Sequence, residues 1–237
     1  MIHFVGAGPG AVDLITVRGQ KLLQAADQII YAGSLVNPAL LENAKEGCRC
    51  LDSAGMTLEE VIAAMAEGEG KGWLTVRLHT GDPSVYGAIR EQMDILSKMG
   101  IAYDVVPGVS SFSAAAATLK AEYTLPGISQ SVIITRMEGR TPVPEHQKIA
   151  DYAAHQATMV IFLSASLLDG LQRELLRGGY APDTPAAIVY KASWPEEKKF
   201  SCTVATLSET AQREGISKTA LIVVGRVLGR EYERSLL

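Results

Sequence analysis

The sequence predicts an α/β protein in which parallel strands are joined by crossover helices. Apolar strand-like runs alternate with helix-patterned segments from one end of the chain to the other, the order that parallel sheets require. These runs repeatedly end in loops of small and polar residues, which is where open α/β sheets bind ligands. The opening is the clearest instance. Residues 1–5 read as a buried strand and run into Gly6-Ala7-Gly8-Pro9-Gly10-Ala11, where glycines around a proline force a tight turn that lets the backbone approach a ligand.

The elements follow in order. Residues 17–26 suit a helix and 28–31 a second strand, while 38–44 suit a short helix with Pro38 in its first turn. Thr57-Leu58-Glu59-Glu60 forms a capping box ahead of an apolar face of Leu58, Val61, Ile62 and Met65. Residues 73–78 read as a strand, 79–84 as a polar loop, and 85–99 as a helix closed by Gly100. Residues 102–106 form a strand ended by Pro107-Gly108, and 110–119 a small-residue helix centred on Ala114 to Ala117. The pattern then restarts. Strands are expected at 131–135, 158–163, 186–190 and 219–224, with a more exposed one at 199–204. Helices are expected at 145–154, 166–176 and 207–214, the last opened by a Thr206-x-x-Glu209 capping box. The break at 107–111 is the expected boundary between two domains, 1–111 and 112–237.

Composition narrows the class. With 237 residues, 47% hydrophobic and 20% charged, the chain can bury a sizeable core. A net charge of −4 argues against a nucleic-acid partner, and an anionic ligand would need basic groups gathered locally. The longest apolar run, 157–168, contains Ser164 and Ser166 and is too short to span a bilayer. Met1 leads into a strand without a basic leader region, so the expectation is a cytoplasmic protein off the membrane. Cys48-Arg49-Cys50 is spaced more closely than zinc or thioredoxin sites, and with Cys202 it reads as unpaired thiols. His3, His79, His146 and His155 have no metal-ligand spacing, so no protein-bound metal is expected.

Gly6-x-Gly8-x-x-Ala11 fits the dinucleotide fingerprint in its Gly/Ala form. Against it, Pro9 removes a backbone donor that a pyrophosphate would use. The segment Gln28-Ile29-Ile30-Tyr31-Ala32-Gly33-Ser34 also lacks the acid that would hold a ribose.

Four loops leave apolar strands in small or polar residues: 6–10, 80–85, 107–111 and 163–166. Their backbone groups could recognise an adenine or an amino-acid moiety; each alone is equally a turn. Asp82, ahead of Pro83, is either an Asx-turn residue or a hydrogen-bonding partner for a ribose or a ligand ammonium. Thr135-Arg136-Met137-Glu138-Gly139-Arg140-Thr141-Pro142-Val143-Pro144 is either a solvated loop or an arm whose guanidinium groups pair with substrate carboxylates. Lys191 and Arg77 could join that patch. Tyr31 to Val36 and Tyr190 to Pro195 also leave strands into Gly, Ser or Pro, as cleft caps or as core edge.

These residues resemble the tetrapyrrole methyltransferase family. Gly6-Ala7-Gly8-Pro9-Gly10 with Asp13-Leu14-Ile15-Thr16 is similar to the family's opening signature. Gly81-Asp82-Pro83 with Tyr86-Gly87, and Val106-Pro107-Gly108-Val109-Ser110-Ser111, are similar to its second. The segments 31–36, 130–136, 138–144 and 189–195, with Lys218-Thr219-Ala220-Leu221, narrow the resemblance to one branch across essentially the whole chain.

That branch implies transfer of a methyl group from S-adenosylmethionine to carbon-11 of an anionic tetrapyrrole, precorrin-4 or cobalt-precorrin-4, in cobalamin biosynthesis. The resemblance implies two α/β domains, with a mainly parallel sheet in the first and a mixed sheet in the second. It also implies a cofactor cleft between them and a homodimer. Carried over by position, the cofactor contacts would be Pro9, Thr80, Gly81, Asp82, Val85, Ser110, Ser111, Ser164, Ala192 and Ala220. Arg136, Arg140 and Lys191 would hold substrate carboxylates. One departure stands out: many members have Asp where this chain has Ala11, so any role of that carboxylate does not transfer; Asp13 is the nearest substitute. Other readings are a family member acting at carbon-20, carbon-17 or on uroporphyrinogen, an NAD-dependent oxidoreductase, and a non-catalytic binding protein. The 138–144 arm and the Tyr31 segment disfavour the first group, and the missing acid the second.

Overall fold

The computed structural model describes residues 1–139 and 141–229. The chain divides into two compact units, Met1–Ser111 and a second that begins at Phe112.

The first unit comprises β1 (Ile2–Gly6), α1 (Val17–Ala25), β2 (Gln28–Tyr31), β3 (Arg49–Asp52), α2 (Leu58–Gly70), β4 (Thr75–His79), α3 (Ile89–Lys98) and β5 (Tyr103–Val106). Its strands pair in parallel in the order β3-β2-β4-β1-β5. Both faces are covered, which is why its central strands read as continuous apolar runs. Val5, Leu23, Ile29, Val76 and Leu78 form one buried layer. Ile2, Phe4, Ile30, Met65 and Leu96 form the other. Each fully buried side chain of this size contributes about 1.5–3 kcal/mol, so packing rather than helix propensity holds the layers together.

The second unit comprises α4, which begins at the boundary (Ser111–Leu119), then β6 (Val132–Arg136), α5 (Ile149–Ala153), β7 (Thr158–Phe162), α6 (Leu168–Arg177), β8 (Pro185–Tyr190), β9 (Lys198–Thr203), α7 (Leu207–Arg213) and β10 (Ala220–Val224). Its sheet is mixed, in the order β6-β7-β10-β8-β9, with β10 antiparallel to both neighbours. Met159, Ile161, Leu171, Leu175, Ile188 and Ile222 pack on one face. Ala115, Val160, Val189 and Val223 pack on the other.

Several elements differ from expectation, each for a local reason. The helix expected from residue 85 begins at Ile89, because Tyr86 (φ 56°) and Ala88 (φ 51°) adopt left-handed backbone that cannot enter a right-handed helix. It ends as expected, with Gly100 at φ 69°. β3 was not anticipated: it is a four-residue edge strand of half-buried and exposed residues, with no apolar run to mark it. The helix expected over 145–154 is a single turn, Glu145–Gln147, followed by α5, because Lys148 is extended (ψ 155°). The Thr206-x-x-Glu209 capping box is replaced by a reciprocal Thr203–Thr206 pair around the turn Val204–Thr206. The Thr57–Glu60 box at α2 forms as expected.

Candidate functional site

In the first unit, β1 lies between β4 and β5, so the chain switches direction of sheet building at that point. Ligands bind at such switch points beyond the carboxyl ends of the strands. The loops after β1, β4 and β5 meet there, backbone to backbone. Ala7 N–H donates to the His79 carbonyl at 2.7 Å, and Gly8 and Gly81 exchange N–H···O bonds of 3.3 and 2.8 Å. The approach is too close for side chains: a Cβ on Gly6 would lie 2.5 Å from Gly108 Cα, and one on Gly108 would lie 2.2 Å from the Gly81 carbonyl oxygen.

Asp82 ties the cluster together. Its Oδ2 accepts the Gly108 N–H at 2.8 Å, and its Oδ1 accepts the Ser84 N–H at 2.8 Å and the Ser84 hydroxyl at 2.5 Å. Partial burial pushes this carboxyl up. The hydrogen bonds from the Ser84 hydroxyl and the Gly108 and Ser84 backbones outweigh it and hold the group below the ordinary aspartate value. The turn-residue reading of Asp82 is what this geometry shows: the carboxylate caps its own turn at Ser84 and ties it to Gly108. On the far side, Asn37 Nδ2 donates to the Gly10 carbonyl at 2.8 Å.

Buried polar groups stand beside these loops. Thr80 Oγ1 is buried and has no hydrogen-bond partner among the described residues, a state that a bound ligand would relieve. His79 is buried with its Nε2 unpartnered, and its ring stacks on Phe4 with the two centroids 6.0 Å apart. Burial, and then the nearby Arg77 charge, pushes its pKa down to about 3. Arg77 is likewise buried, with Nε on Gln92 Oε1 (3.2 Å) and Nη1 on the Ile30 carbonyl (3.1 Å). Burial lowers its pKa to about 10.

In the second unit, the strand directions bring the carboxyl ends of β6, β7 and β8 and the amino end of β10 to one edge of the sheet. Arg136, Ser164, Ala192 with Lys191, and Ala220 occupy that edge. Ser164 is fully buried, and its Oγ accepts the Met137 N–H at 2.8 Å while donating to the Phe162 carbonyl at 2.6 Å. It ties the arm after β6 to the turn after β7. Arg136 folds back on the arm, bonding the Thr141 carbonyl at 3.0 Å and the Pro142 carbonyl at 2.9 Å. Lys191 Nζ sits 5.2 Å from the Trp194 ring and 5.9 Å from the Tyr190 ring, and pairs with Glu196 at 3.2 Å. The expected contact Arg140 lies outside the described residues.

The first unit thus brings together Pro9, Thr80, Gly81, Asp82, Val85, Ser110 and Ser111, and the second Arg136, Ser164, Lys191, Ala192 and Ala220. Sequence reading missed the backbone strain around them. Tyr86, Ala88, Leu163, Lys191, Ser193 and Thr219 all have positive φ, and such strain collects at functional loops. Glycine signals positive φ in a sequence; these residues do not. Among the described residues no group of three or more His, Cys, Asp or Glu could hold a metal.

The structure offers a polar ligand an unmet partner here, the buried Thr80 hydroxyl, beside loops whose glycines let them pack backbone to backbone. Comparison with known proteins points the same way. The profile of the Tetrapyrrole (Corrin/Porphyrin) Methylases matches residues 1–208. The cobalt-precorrin-4 C(11)-methyltransferase of Methanocaldococcus jannaschii is 55% identical over 231 residues, covering 98% of this chain and 89% of that protein. The precorrin-4 C(11)-methyltransferase of Mycobacterium tuberculosis is 44% identical, covering 97% and 92%. The X-ray structure of a cobalt precorrin-4 methyltransferase superposes with a TM-score of 0.94 at 48% identity, covering 96% and 95%. A uroporphyrin-III C-methyltransferase from Thermus thermophilus, crystallised with S-adenosylhomocysteine, superposes with a TM-score of 0.81 at 26% identity, covering 96% and 98%.

Proposed function

This chain belongs to the tetrapyrrole (corrin/porphyrin) methylases, and from that premise we propose that it methylates carbon-11 of precorrin-4 or its cobalt-bearing form in cobalamin biosynthesis. The observation that carries this reading is identity along almost the whole chain with enzymes named for that reaction. The methyl donor is S-adenosylmethionine, which when bound supplies a sulfonium methyl already activated for transfer to an electron-rich carbon. What remains for the protein is to align the two partners and exclude water, and alignment alone contributes roughly 7–11 kcal/mol in favourable cases.

In this reading Pro9, Thr80, Gly81, Val85, Ser110 and Ser111 hold the donor, and Thr80 Oγ1 gains the partner it lacks. Asp82 serves by holding the 80–85 and 107–111 loops in register. Ser164, Ala192 and Ala220 provide further donor contacts. Arg136, Arg140 and Lys191 hold carboxylates of the anionic tetrapyrrole, gathering positive charge in a protein of net charge −4. The enzyme works as a homodimer in the cytoplasm; exposed Val12, Val17 and Leu35 supply apolar surface for a second copy, and three free thiols suit a reducing compartment.

Calorimetric titration with S-adenosylhomocysteine tests the donor half. The wild type binds, and Asp82→Ala weakens binding about tenfold or more, because the Gly108 and Ser84 N–H groups lose their acceptor. Absence of binding by folded wild-type protein would refute the reading. Turnover of precorrin-4, with and without cobalt, then tests carbon-11 specificity by NMR of the product. Arg136→Ala is expected to raise KM for the tetrapyrrole about tenfold and to leave S-adenosylhomocysteine affinity nearly unchanged. The reverse pattern would overturn this division of labour.

A further inference from the structure

Beyond Tyr190 the chain makes a turn that its sequence does not favour. Lys191 (φ 46°) and Ser193 (φ 67°) are both left-handed, two non-glycine residues within three positions, a conformation that persists only where surrounding contacts impose it. Part of the constraint is local. Lys191 N–H donates to the Thr219 carbonyl, Trp194 N–H to the Lys191 carbonyl, and Glu197 N–H to the Trp194 carbonyl, each at 3.0 Å. These bonds fold the turn but do not anchor the Ser193 amide.

Glu197 does. Its Oε2 accepts the Ser193 N–H at 2.6 Å and lies 2.8 Å from Thr118 Oγ1, in the last turn of α4; the one hydrogen of that hydroxyl is shared between this oxygen and the Ala114 carbonyl at 3.0 Å. The same helix end is held again by Lys199, whose Nζ donates to the Thr118 carbonyl at 2.7 Å. One carboxylate oxygen therefore joins the strained turn to the end of a helix in the same unit. Its neighbour Glu196 contrasts with it, making an exposed pair with Lys191 at 3.2 Å of a kind that contributes little.

Resting on the donor contact assigned above to Ala192, we propose that Glu197 is a positioning residue, which clamps the Lys191–Ser193 turn so that the buried Ala192 is held in its ligand-ready place. The clamp needs an oxygen acceptor at this point, not a charge as such. A glutamine amide oxygen can take the same two hydrogen bonds, whereas alanine takes neither.

The test compares wild type, Glu197→Gln, Glu197→Ala and Thr118→Val by two independent readouts. The first is hydrogen exchange of the peptide carrying Ser193, which reads the clamp with no ligand present. The second is calorimetric Kd for S-adenosylhomocysteine, with KM and kcat for the methyl donor alongside it. Glu197→Ala is expected to speed Ser193 exchange and to raise Kd and KM about tenfold, the loss of about one hydrogen bond, with kcat at saturating donor little changed. Thr118→Val should give a smaller effect in the same direction, and Glu197→Gln should stay within about threefold of wild type. Because Glu197 is exposed, the two Glu197 variants should melt like the wild type. Unchanged Ser193 exchange in Glu197→Ala overturns the clamp. Faster exchange with unchanged Kd overturns its link to the ligand, and a glutamine variant as weak as alanine overturns the acceptor role. Wild-type protein that binds no S-adenosylhomocysteine refutes the donor reading itself, and in that event the exchange data alone decide the clamp.

Discussion

Replacing Gly108 with alanine should lower kcat/KM at least about 100-fold and destabilise the protein as well. The added Cβ would meet the Gly81 carbonyl oxygen at 2.2 Å and Gly6 Cα at 2.7 Å. Every atom in its way is backbone, so no side chain can swing aside, and the loops after β1, β4 and β5 must separate. Overpacking of this kind costs about 1–3 kcal/mol or more, and a displacement of about 1 Å at a reacting site costs about 100-fold in rate. Gly55→Ala is the control, since nothing lies within 4 Å of its added Cβ. Thermal melting and steady-state kinetics on the two variants check the expectation; a Gly108→Ala enzyme with wild-type kcat/KM would refute the tight-cradle account.

His79 should make the protein acid-sensitive. Burial holds its pKa at about 3, against 6.5 for an ordinary histidine. The unfolded chain therefore takes up a proton between pH 6.5 and 3 that the folded chain refuses. The stability this neutral imidazole confers is complete above pH 6.5 and is lost as pH falls toward 3, at up to about 1.4 kcal/mol per pH unit. Urea unfolding of wild type and His79→Leu at pH 7.5, 6.5, 5.5 and 4.5 measures it. The difference between the two stability curves should be flat above pH 6.5 and change with that slope below it. Parallel curves throughout would mean that His79 is protonated or solvated in the folded protein.

Much of the fold was legible because the central strands are buried on both faces. Ile29-Ile30 and Met159-Val160-Ile161 have no polar side to confuse with a helix. β3 was not legible, since Arg49 and Asp52 sit on a sheet edge where water does part of the packing. The start of α3 was hidden because left-handed turns usually announce themselves with glycine, and Tyr86 and Ala88 do not. The loops of the candidate site were legible for the converse reason: Gly6, Gly81 and Gly108 mark places where backbone meets backbone. The roles of the polar residues were harder to read. Asp82 and Ser164 read as ligand contacts in one dimension; that their oxygens also tie loops together could not be read there, because it depends on neighbours 26 and 27 positions away. Glu197 carried no signal at all beside Glu196; only the fold tells them apart.

The mutual hydrogen bonding of Gly8 and Gly81 bears on the entropy of association. Fixing a loop backbone costs about 1–2 kcal/mol per residue in lost conformational freedom. Here that loss falls on folding, because the three loops are already pinned to one another. On the proposed reading, a donor that docks against them orders little further chain, so its own freedom and its displaced water dominate the binding entropy.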